Sequence, residues 1–302
     1  EIPDANDTVI IRNGKTLTIP DTTDNVQVAL MVVNGELDLT TSENHDFGVI
    51  EGSGTIRMQG NGTVDNFPVG TTTGPNGFAN ASNGGILVLE GTGFEFENDY
   101  TFKDVRLNMD NASSTVVLGS DITINGNLSI RLGTLQFGDG TTTDRTLEVF
   151  GDLTIEDNGT TTSGNIITST ANARHELDLY GDFLNQGDVE FTNRTSAGYT
   201  TEATNGIVDF NLVSDNSDQT IDCNGPTRFY RIEINKGSDE SYIATIQADN
   251  ATNFELFGFA NDGMGAVATT SNNDNALGLI NGTVRIGTNI TIDNLNNTGN
   301  YN

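Results

Sequence analysis

Pairs of apolar residues at alternate positions recur along this chain, and each pair is bounded by Gly, Asn, Asp or Thr. Leu37 and Leu39 form one such pair, and Ile232 and Ile234 form another. Two apolar residues with this spacing give one short strand with a single buried face. One such strand cannot bury enough surface alone, whereas many can stack around a shared narrow core. The pattern therefore predicts an all-β fold, an elongated parallel β-helix (β-solenoid).

Gly and Asn-Gly pairs, such as Asn125-Gly126, separate the predicted strands. Asn-Gly alone would favour hairpins, but these strands are too short and too many for a simple meander. We interpret the pairs as corners, where Gly and Asn adopt positive φ at little cost. Turns of about 20–25 residues are typical of solenoids and predict roughly a dozen turns. At about 4.8 Å per turn, the rod would be about 60 Å long.

No linker divides the chain, so we predict a single β-solenoid segment over residues 1–302 with two longer insertions. The insertions cover about 65–83 and 257–275 and contain the polar runs Thr71–Gly77 and Ser271–Asn275. We expect both to form loops on the outside of the rod. They would either decorate the surface or border a binding face.

The chain is strongly acidic, with 42 acidic against 13 Lys and Arg residues and a formal net charge of −29. Contacts to phosphates need clustered basic residues, so we predict no nucleic-acid partner and no binding to anionic membranes. No apolar run approaches the about 18 residues that a membrane helix needs, so we predict no membrane insertion. The charge would either solvate an extracellular rod or form a dedicated acidic binding face.

The residues with catalytic chemistry are few and scattered. Cys223, the only cysteine, alternates with Ile221, which predicts a buried thiol rather than a nucleophile. His45 and His175 lie in polar stretches without a second His or Cys at ligand spacing, so we expect exposed loop histidines rather than metal ligands or general bases. Many acids, including Asp178, alternate with core positions and should face outward. We predict no catalytic residues and no enzyme activity.

Calcium is the one cofactor for which the sequence offers clustered oxygen ligands; no other cofactor is predicted. The candidate ligands are Asp215 and Asp218 in one cluster and Asp274 in another, and Asp139-Gly140 is a third position. None of these clusters fits an EF-hand or a nonapeptide calcium repeat. Ordinary turn chemistry is the alternative explanation.

Four segments carry a resemblance to a known group of proteins. They are Ile2–Ile19 (IPDANDTVIIRNGKTLTI), Leu30–Leu39 (LMVVNGELDL), Gly206–Asn235 and Leu279–Gly287 (LINGTVRIG). In composition and order they resemble repeats of large secreted, adhesin-like cell-surface proteins of Bacteroidota, substrates of type IX secretion. The resemblance implies a parallel β-helix stalk and carries over no catalytic residues. Asp7-Thr8-Val9 and Asp21-Thr22-Thr23 also resemble the O-glycosylation motif of Bacteroidota, at Thr8 and Thr22.

Two features of that group are missing: no Trp precedes the opening motif, and no sorting domain follows Asn302. The last residues are polar and offer no cap for a solenoid end. We therefore expect that the natural chain continues beyond this segment.

The leading hypothesis is a structural or adhesive segment of an extracellular protein on a bacterial cell surface. Its partners would be cell-surface or matrix components, including glycans, and the rest of a longer polypeptide. The alternative is a carbohydrate-binding or carbohydrate-active β-helix, in which the insertions border a groove and Tyr199 and Phe257 are exposed.

The solenoid hypothesis also makes a residue-level prediction. Strand alternation should place one set of side chains inward in stacked rows: Leu128, Ile130, Leu147, Val149, Leu177 and Leu179. Their neighbours Ser129, Glu148 and Asp178 should point outward.

Overall fold

The computed structural model describes residues 3–21, 23, 25–62, 66–157, 164–193, 206–257 and 276–292. Within these ranges all regular structure is β-strand, because apolar residues alternate with polar ones over three to ten residues at a time. The first strands are β1 (Thr8–Ile11), β2 (Thr16–Thr18), β3 (Leu30–Val33), β4 (Glu36–Asp38), β5 (Asp46–Glu51), β6 (Thr55–Gly60), β7 (Val69–Thr71), β8 (Ile86–Gly91), β9 (Gly93–Phe96), β10 (Tyr100–Phe102), β11 (Asp104–Asn108), β12 (Thr115–Leu118), β13 (Ile122–Ile124) and β14 (Leu128–Phe137). The others are β15 (Thr146–Val149), β16 (Leu153–Ile155), β17 (Gly164–Thr168), β18 (Arg174–Leu179), β19 (Phe183–Asn185), β20 (Asp188–Glu190), β21 (Ile207–Leu212), β22 (Gln219–Cys223), β23 (Thr227–Phe229), β24 (Arg231–Asn235), β25 (Ile243–Ala248), β26 (Phe254–Leu256), β27 (Leu277–Asn281) and β28 (Thr283–Ile286). None of the described residues forms a helix that could span a membrane.

The strands stack in parallel sheets that run along the solenoid. Sheet A contains β1, β3, β5 and β7, and sheet B contains β2, β4, β6, β8, β11, β14, β16, β19, β22, β25 and β28. Sheet C contains β9, β12, β14, β17, β20, β23 and β26, and sheet D contains β10, β13, β15, β18, β21, β24 and β27. Gly133, with φ of 106°, bends β14 so that its two halves lie in sheets B and C.

Each turn after β8 passes through sheets B, C and D in order. Strand pairing within a sheet joins one turn to the next, so the predicted parallel β-helix is confirmed. Sheet B holds eleven strands, which at about 4.8 Å per step gives a stack about 50 Å long. Turn length varies more than the sequence predicted: within sheet B, Leu87 pairs with Val105 in the shortest turn, whereas Ile246 pairs with Ile286 in the longest.

The core consists of inward rows in which equivalent side chains stack from turn to turn. Leu147 pairs with Leu177 in sheet D, and Leu128 pairs with Leu153 in sheet B. The predicted inward residues are confirmed, since all six are at most 2% exposed: Leu128, Ile130, Leu147, Val149, Leu177 and Leu179. The predicted outward residues Ser129, Glu148 and Asp178 are partly exposed, as expected for alternate positions.

Carboxylates at the corners connect consecutive turns. Asp152 Oδ1 accepts a hydrogen bond of 2.8 Å from the backbone N–H of Asp182, and Asp182 Oδ1 accepts one of 2.7 Å from the N–H of Thr220. Asp218 Oδ1 does the same for the N–H of Ile243 at 2.8 Å. The same arrangement recurs at Asp104, Asp121 and Asp144. Part of the acidity of this chain thus serves to hold its turns in register.

The first predicted insertion differs from a loop on the outside of the rod. Asp65 lies outside the described residues, but 66–83 contribute β7 to sheet A and bury Phe67 and Phe78. Phe67 packs edge-on against Phe102, with ring centroids 5.1 Å apart. These aromatic side chains draw the segment onto the core despite its polar surroundings.

The second predicted insertion begins at Phe257, and residues 258–275 lie outside the described residues. The prediction that Phe257 is exposed is wrong, because it is 2% exposed. Its N–H donates to the carbonyl of Phe229 at 3.1 Å, which extends the sheet C ladder by one residue beyond β26. Tyr199 also lies outside the described residues.

Candidate functional site

Both histidines are buried, which corrects the prediction of exposed loop residues. His45 is 1% exposed; its ring stacks on Phe47 with centroids 5.6 Å apart, and its Nδ1 accepts from the N–H of Val26 at 3.2 Å. His175 is 0% exposed and lies in β18, where it is the inward residue opposite Val208. Each histidine lies two residues from a residue that points inward, so strand alternation also turns the histidine inward. This alternation decides its burial although the neighbouring residues in the sequence are polar.

His175 lies near Ser169, but the pair is not arranged for nucleophilic catalysis. The Nδ1 atom of His175 accepts a hydrogen bond of 3.1 Å from the N–H of Arg145, so the proton of the neutral ring is on Nε2. A general base needs a free lone pair toward the hydroxyl that it deprotonates. Burial also lowers the pKa of His175 to about 4, so the ring is neutral near pH 7.

Cys223 is buried, as predicted. It is 0% exposed at the end of β22, and burial raises its pKa to about 12. The thiol is therefore protonated near neutral pH and lacks thiolate character.

The predicted calcium and glycosylation positions are only partly within the described residues. Asp215 and Asp218 are exposed at the corner before β22, where Asp218 already binds a backbone N–H of the next turn. Asp274 and Thr22 lie outside the described residues, whereas Thr8 is exposed at the start of β1. Where the chain is described, no three His, Cys, Asp or Glu side chains are grouped as they are around a metal ion.

The outer face of sheet D carries a pair of stacked aromatic rings. Phe150 and Tyr180 follow β15 and β18 at equivalent positions of adjacent turns, and their ring centroids are 4.3 Å apart with an interplanar angle of 15°. Phe150 is 43% exposed, one of the few large apolar side chains that are exposed in the described chain. Burial and the charges of Glu148 and Asp178 raise the pKa of Tyr180. The pair is thus an apolar surface beside carboxylates.

Carboxylates continue this face toward the C-terminal turns. Asn211 donates through Nδ2 to Glu176 Oε1 at 2.7 Å and to Asp178 Oδ1 at 2.8 Å. Burial, followed by repulsion between the two carboxylates, raises the pKa of Glu176; burial and the charges of Glu148 and Glu233 raise that of Asp178. The face therefore concentrates negative charge that its own hydrogen bonds do not neutralise.

Two arginines lie at the edge of this carboxylate face. Arg174 Nε is 2.8 Å from Asp209 Oδ2, and Arg231 is 3.7 Å from the same oxygen and also pairs with Glu233. Asp209 nevertheless has a raised pKa, because burial outweighs the attraction of the two guanidinium groups. The face thus has guanidinium groups at its edge and carboxylates at its centre. The stacking of the turns sets the distances between these charged groups.

A polar cavity of about 450 Å³ lies on the outer face of sheet C. Gln136 and Ile167 form its floor in register on β14 and β17, and Glu190 continues the row in the next turn. Asp139 and Ser169 contribute to the wall. Three successive turns therefore build one concave site.

Sequence reasoning missed both of these surfaces. Phe150 and Tyr180 occupy the same position in two related blocks, LEVFGD and LDLYGD, and that match was the available signal. The cavity has no local signal in the sequence, because Gln136 and Glu190 line one surface only through the register of turns of unequal length.

No family model, curated protein or solved structure matches this chain.

Proposed function

We propose that this chain is a structural and adhesive segment of an extracellular bacterial cell-surface protein, in which the solenoid presents a lateral binding surface. The observation that carries the proposal is the outer face of sheet D, where the stacked Phe150 and Tyr180 adjoin rows of carboxylates. An exposed apolar pair rimmed by charged groups is typical of an interaction site. Stacked turns fix the spacing of these groups without a separate scaffold.

The likeness of four segments to adhesin-like proteins of Bacteroidota supports the proposed location and export by type IX secretion. The partners that suit an acidic face with an aromatic pair are cell-surface or matrix components whose binding groups are apolar, cationic or both. The role is one of attachment and spacing rather than catalysis.

Two measurements test this proposal. Electron microscopy of the purified segment should show particles longer than they are wide; compact spheres would contradict a spacer role. Binding to immobilised matrix proteins and to a glycan array should fall at least five-fold in the Phe150→Ala/Tyr180→Ala double variant. Val69→Ala, at a side chain that is 70% exposed on sheet A, is the matched control and should bind like wild type.

Carbohydrate binding is the second candidate function, and the aromatic pair is again the specific observation that favours it. Aromatic rings stack on the C–H faces of sugars, and carboxylates accept hydrogen bonds from sugar hydroxyls. Binding on the glycan array but not to matrix proteins, lost in the double variant, would select this function over general adhesion.

A further inference from the structure

We propose that the cavity on sheet C binds a neutral, hydroxyl-rich small molecule, namely a pyranose sugar, either free or at the end of a glycan. This inference rests on the carbohydrate-binding candidate and adds a second position to it, on a different face from Phe150 and Tyr180. Its argument comes from the size of the cavity, its floor, its charge balance and the acceptors held in place beside the floor.

The size and floor of the cavity suit a sugar ring. Its volume of about 450 Å³ lies within the roughly 300–1,000 Å³ that is usual for small-molecule sites. Ile167 lies at the centre of the floor, between Gln136 and Glu190 on the neighbouring turns. An apolar residue flanked by an amide and a carboxylate matches a pyranose, which has C–H groups on its faces and hydroxyls around its edge.

The two carboxylates of the cavity are already paired with cations. Asp139 Oδ2 is 3.2 Å from Arg145, and Glu190 Oε1 is 2.6 Å from Arg228. Asp139 also accepts from the N–H and hydroxyl of Thr141, at 2.9 and 2.6 Å. A site whose charges are balanced in this way gains little from a cationic or anionic ligand, because either would leave one charge without compensation.

One hydroxyl of the cavity wall has no protein partner. Ser169 is 3% exposed, and among the described residues nothing hydrogen-bonds to its Oγ. A buried hydroxyl without a partner destabilises a protein unless water or a ligand satisfies it. Because Ser169 Oγ has almost no accessible surface, a sugar in the cavity would not contact it directly.

Gly138 lets the cavity wall pass close to this hydroxyl. It has φ of 83°, and a Cβ built there would lie 2.9 Å from Ser169 Oγ and 2.8 Å from His175 Nε2. The Nε2 atom of His175 is the second buried polar atom here without a partner in the described chain. Any residue larger than glycine would collide with both groups.

The floor offers further hydrogen-bond acceptors to a sugar. Gln136 donates through Nε2 to the carbonyl of Gly138 at 2.8 Å, which fixes the amide and leaves Oε1 as an acceptor. Glu190 uses Oε1 for Arg228, and its other carboxylate oxygen can accept a second bond. Acceptors held in place by their other bonds are preorganised for a ligand that brings several O–H donors.

The test is a titration of the purified chain with monosaccharides, followed by saturation-transfer NMR. Glucose, galactose and mannose are compared with their uronic acids and 2-amino sugars, which keep the ring but add a charge. We expect saturable binding of at least one neutral sugar, at least ten-fold tighter than its charged counterparts. Methyl glycosides distinguish a glycan end, which they mimic, from a free sugar; binding of either form supports the site.

Variants assign the binding to this cavity. Gln136→Ala should weaken binding of the neutral sugar at least ten-fold, whereas Gln247→Ala, at a partly exposed glutamine on sheet B, should leave it unchanged. Ser169→Ala should bind like wild type and unfold at the same or a higher temperature, because it removes an unpaired hydroxyl that has almost no accessible surface. An unfolding temperature of Gln136→Ala equal to that of wild type separates loss of binding from loss of fold.

Three results would overturn the proposal. They are no saturable binding of any neutral sugar, tighter binding of a charged sugar, and equal losses in Gln247→Ala and Gln136→Ala. Binding that is lost in Phe150→Ala/Tyr180→Ala but kept in Gln136→Ala would also overturn the cavity while leaving the carbohydrate-binding candidate intact.

Discussion

Lys236 makes the stability of this protein depend on pH in a way that can be measured. Its side chain is 0% exposed, next to the end of β24, and Nζ donates to Gln219 Oε1 at 2.5 Å. The amide of Gln219 is held in turn by the carbonyls of Leu179 and Gly181. Burial lowers the pKa of Lys236 to about 8, against partial compensation from the charges of Asp218 and Asp182.

The sign and size of the effect follow from this shift. A lysine with a folded-state pKa near 8 and an unfolded-state value of 10.5 binds its proton more weakly in the folded protein. Stability therefore rises with pH between these two values and is flat with respect to this group below them. At 1.36 kcal/mol per pKa unit, the whole rise is about 3 kcal/mol.

The Lys236→Met variant isolates this contribution, because methionine fills similar space without a charge. We expect the free energy of unfolding of wild type minus that of Lys236→Met to increase by about 3 kcal/mol from pH 7.5 to pH 10.5. Urea unfolding at a series of pH values, followed by circular dichroism, measures both proteins under the same conditions. Lys15→Met is the matched control, since Lys15 is exposed and its substitution removes one ammonium from the surface. A difference that stays constant over this range, or that falls with pH, would refute the reasoning.

Three further predictions concern the core, the acidic face and the corners. Leu177→Asp places a carboxylate in a core position that is 0% exposed, so it should cost several kcal/mol of stability, about the penalty of an unpaired buried polar group. Hydrogen exchange should show lost protection centred on that turn. Uniform loss of protection along the chain, or no loss, would contradict the solenoid argument. Asp178→Asn should stabilise the protein at pH 7 by up to about 1 kcal/mol, because the raised pKa shows that the folded state disfavours this charge. That gain should shrink as the pH falls through the raised pKa; urea midpoints that diverge on acidification would speak against it. Asp182→Ala should lower the stability by about 1 kcal/mol and speed amide exchange at Thr220, because it removes the acceptor of that N–H. Asp182→Asn keeps an acceptor and should lower the stability less. Equal effects of the two substitutions would rule out the corner hydrogen bond as the cause.

Alternation of apolar residues predicted the fold class and the inward rows, because strand parity decides which face a side chain occupies. Leu147 and Leu177 were placed correctly for this reason, and His175 shares their parity although its neighbours are polar. Local polarity misled the prediction there and at Phe257, where one more residue of ladder pairing keeps a ring in the core.

The sites depend on information that local patterns do not carry. Which residues become neighbours across turns depends on how many residues each corner holds, and these numbers differ widely between turns. Phe183 pairs with Ile221 across a long turn, whereas Ile221 pairs with Ile246 across a shorter one. The cavity around Ile167 and the carboxylates beside Asn211 are products of this register, so they emerge only from the folded chain.

The corner hydrogen bonds all point in one direction along the chain. In each of them the aspartate belongs to the earlier turn and the N–H donor to the later one, as in the pairs Asp152 with Asp182 and Asp218 with Ile243. A turn added at the C-terminal end of the stack therefore meets a neighbour whose acceptor is already in place, so the stack can grow from the N-terminus toward the C-terminus. At these corners, removal of the later turn leaves a carboxylate that water can solvate, whereas removal of the earlier turn leaves an amide donor without its acceptor. The corner bonds are thus suited to the addition of turns at the C-terminal end of the stack.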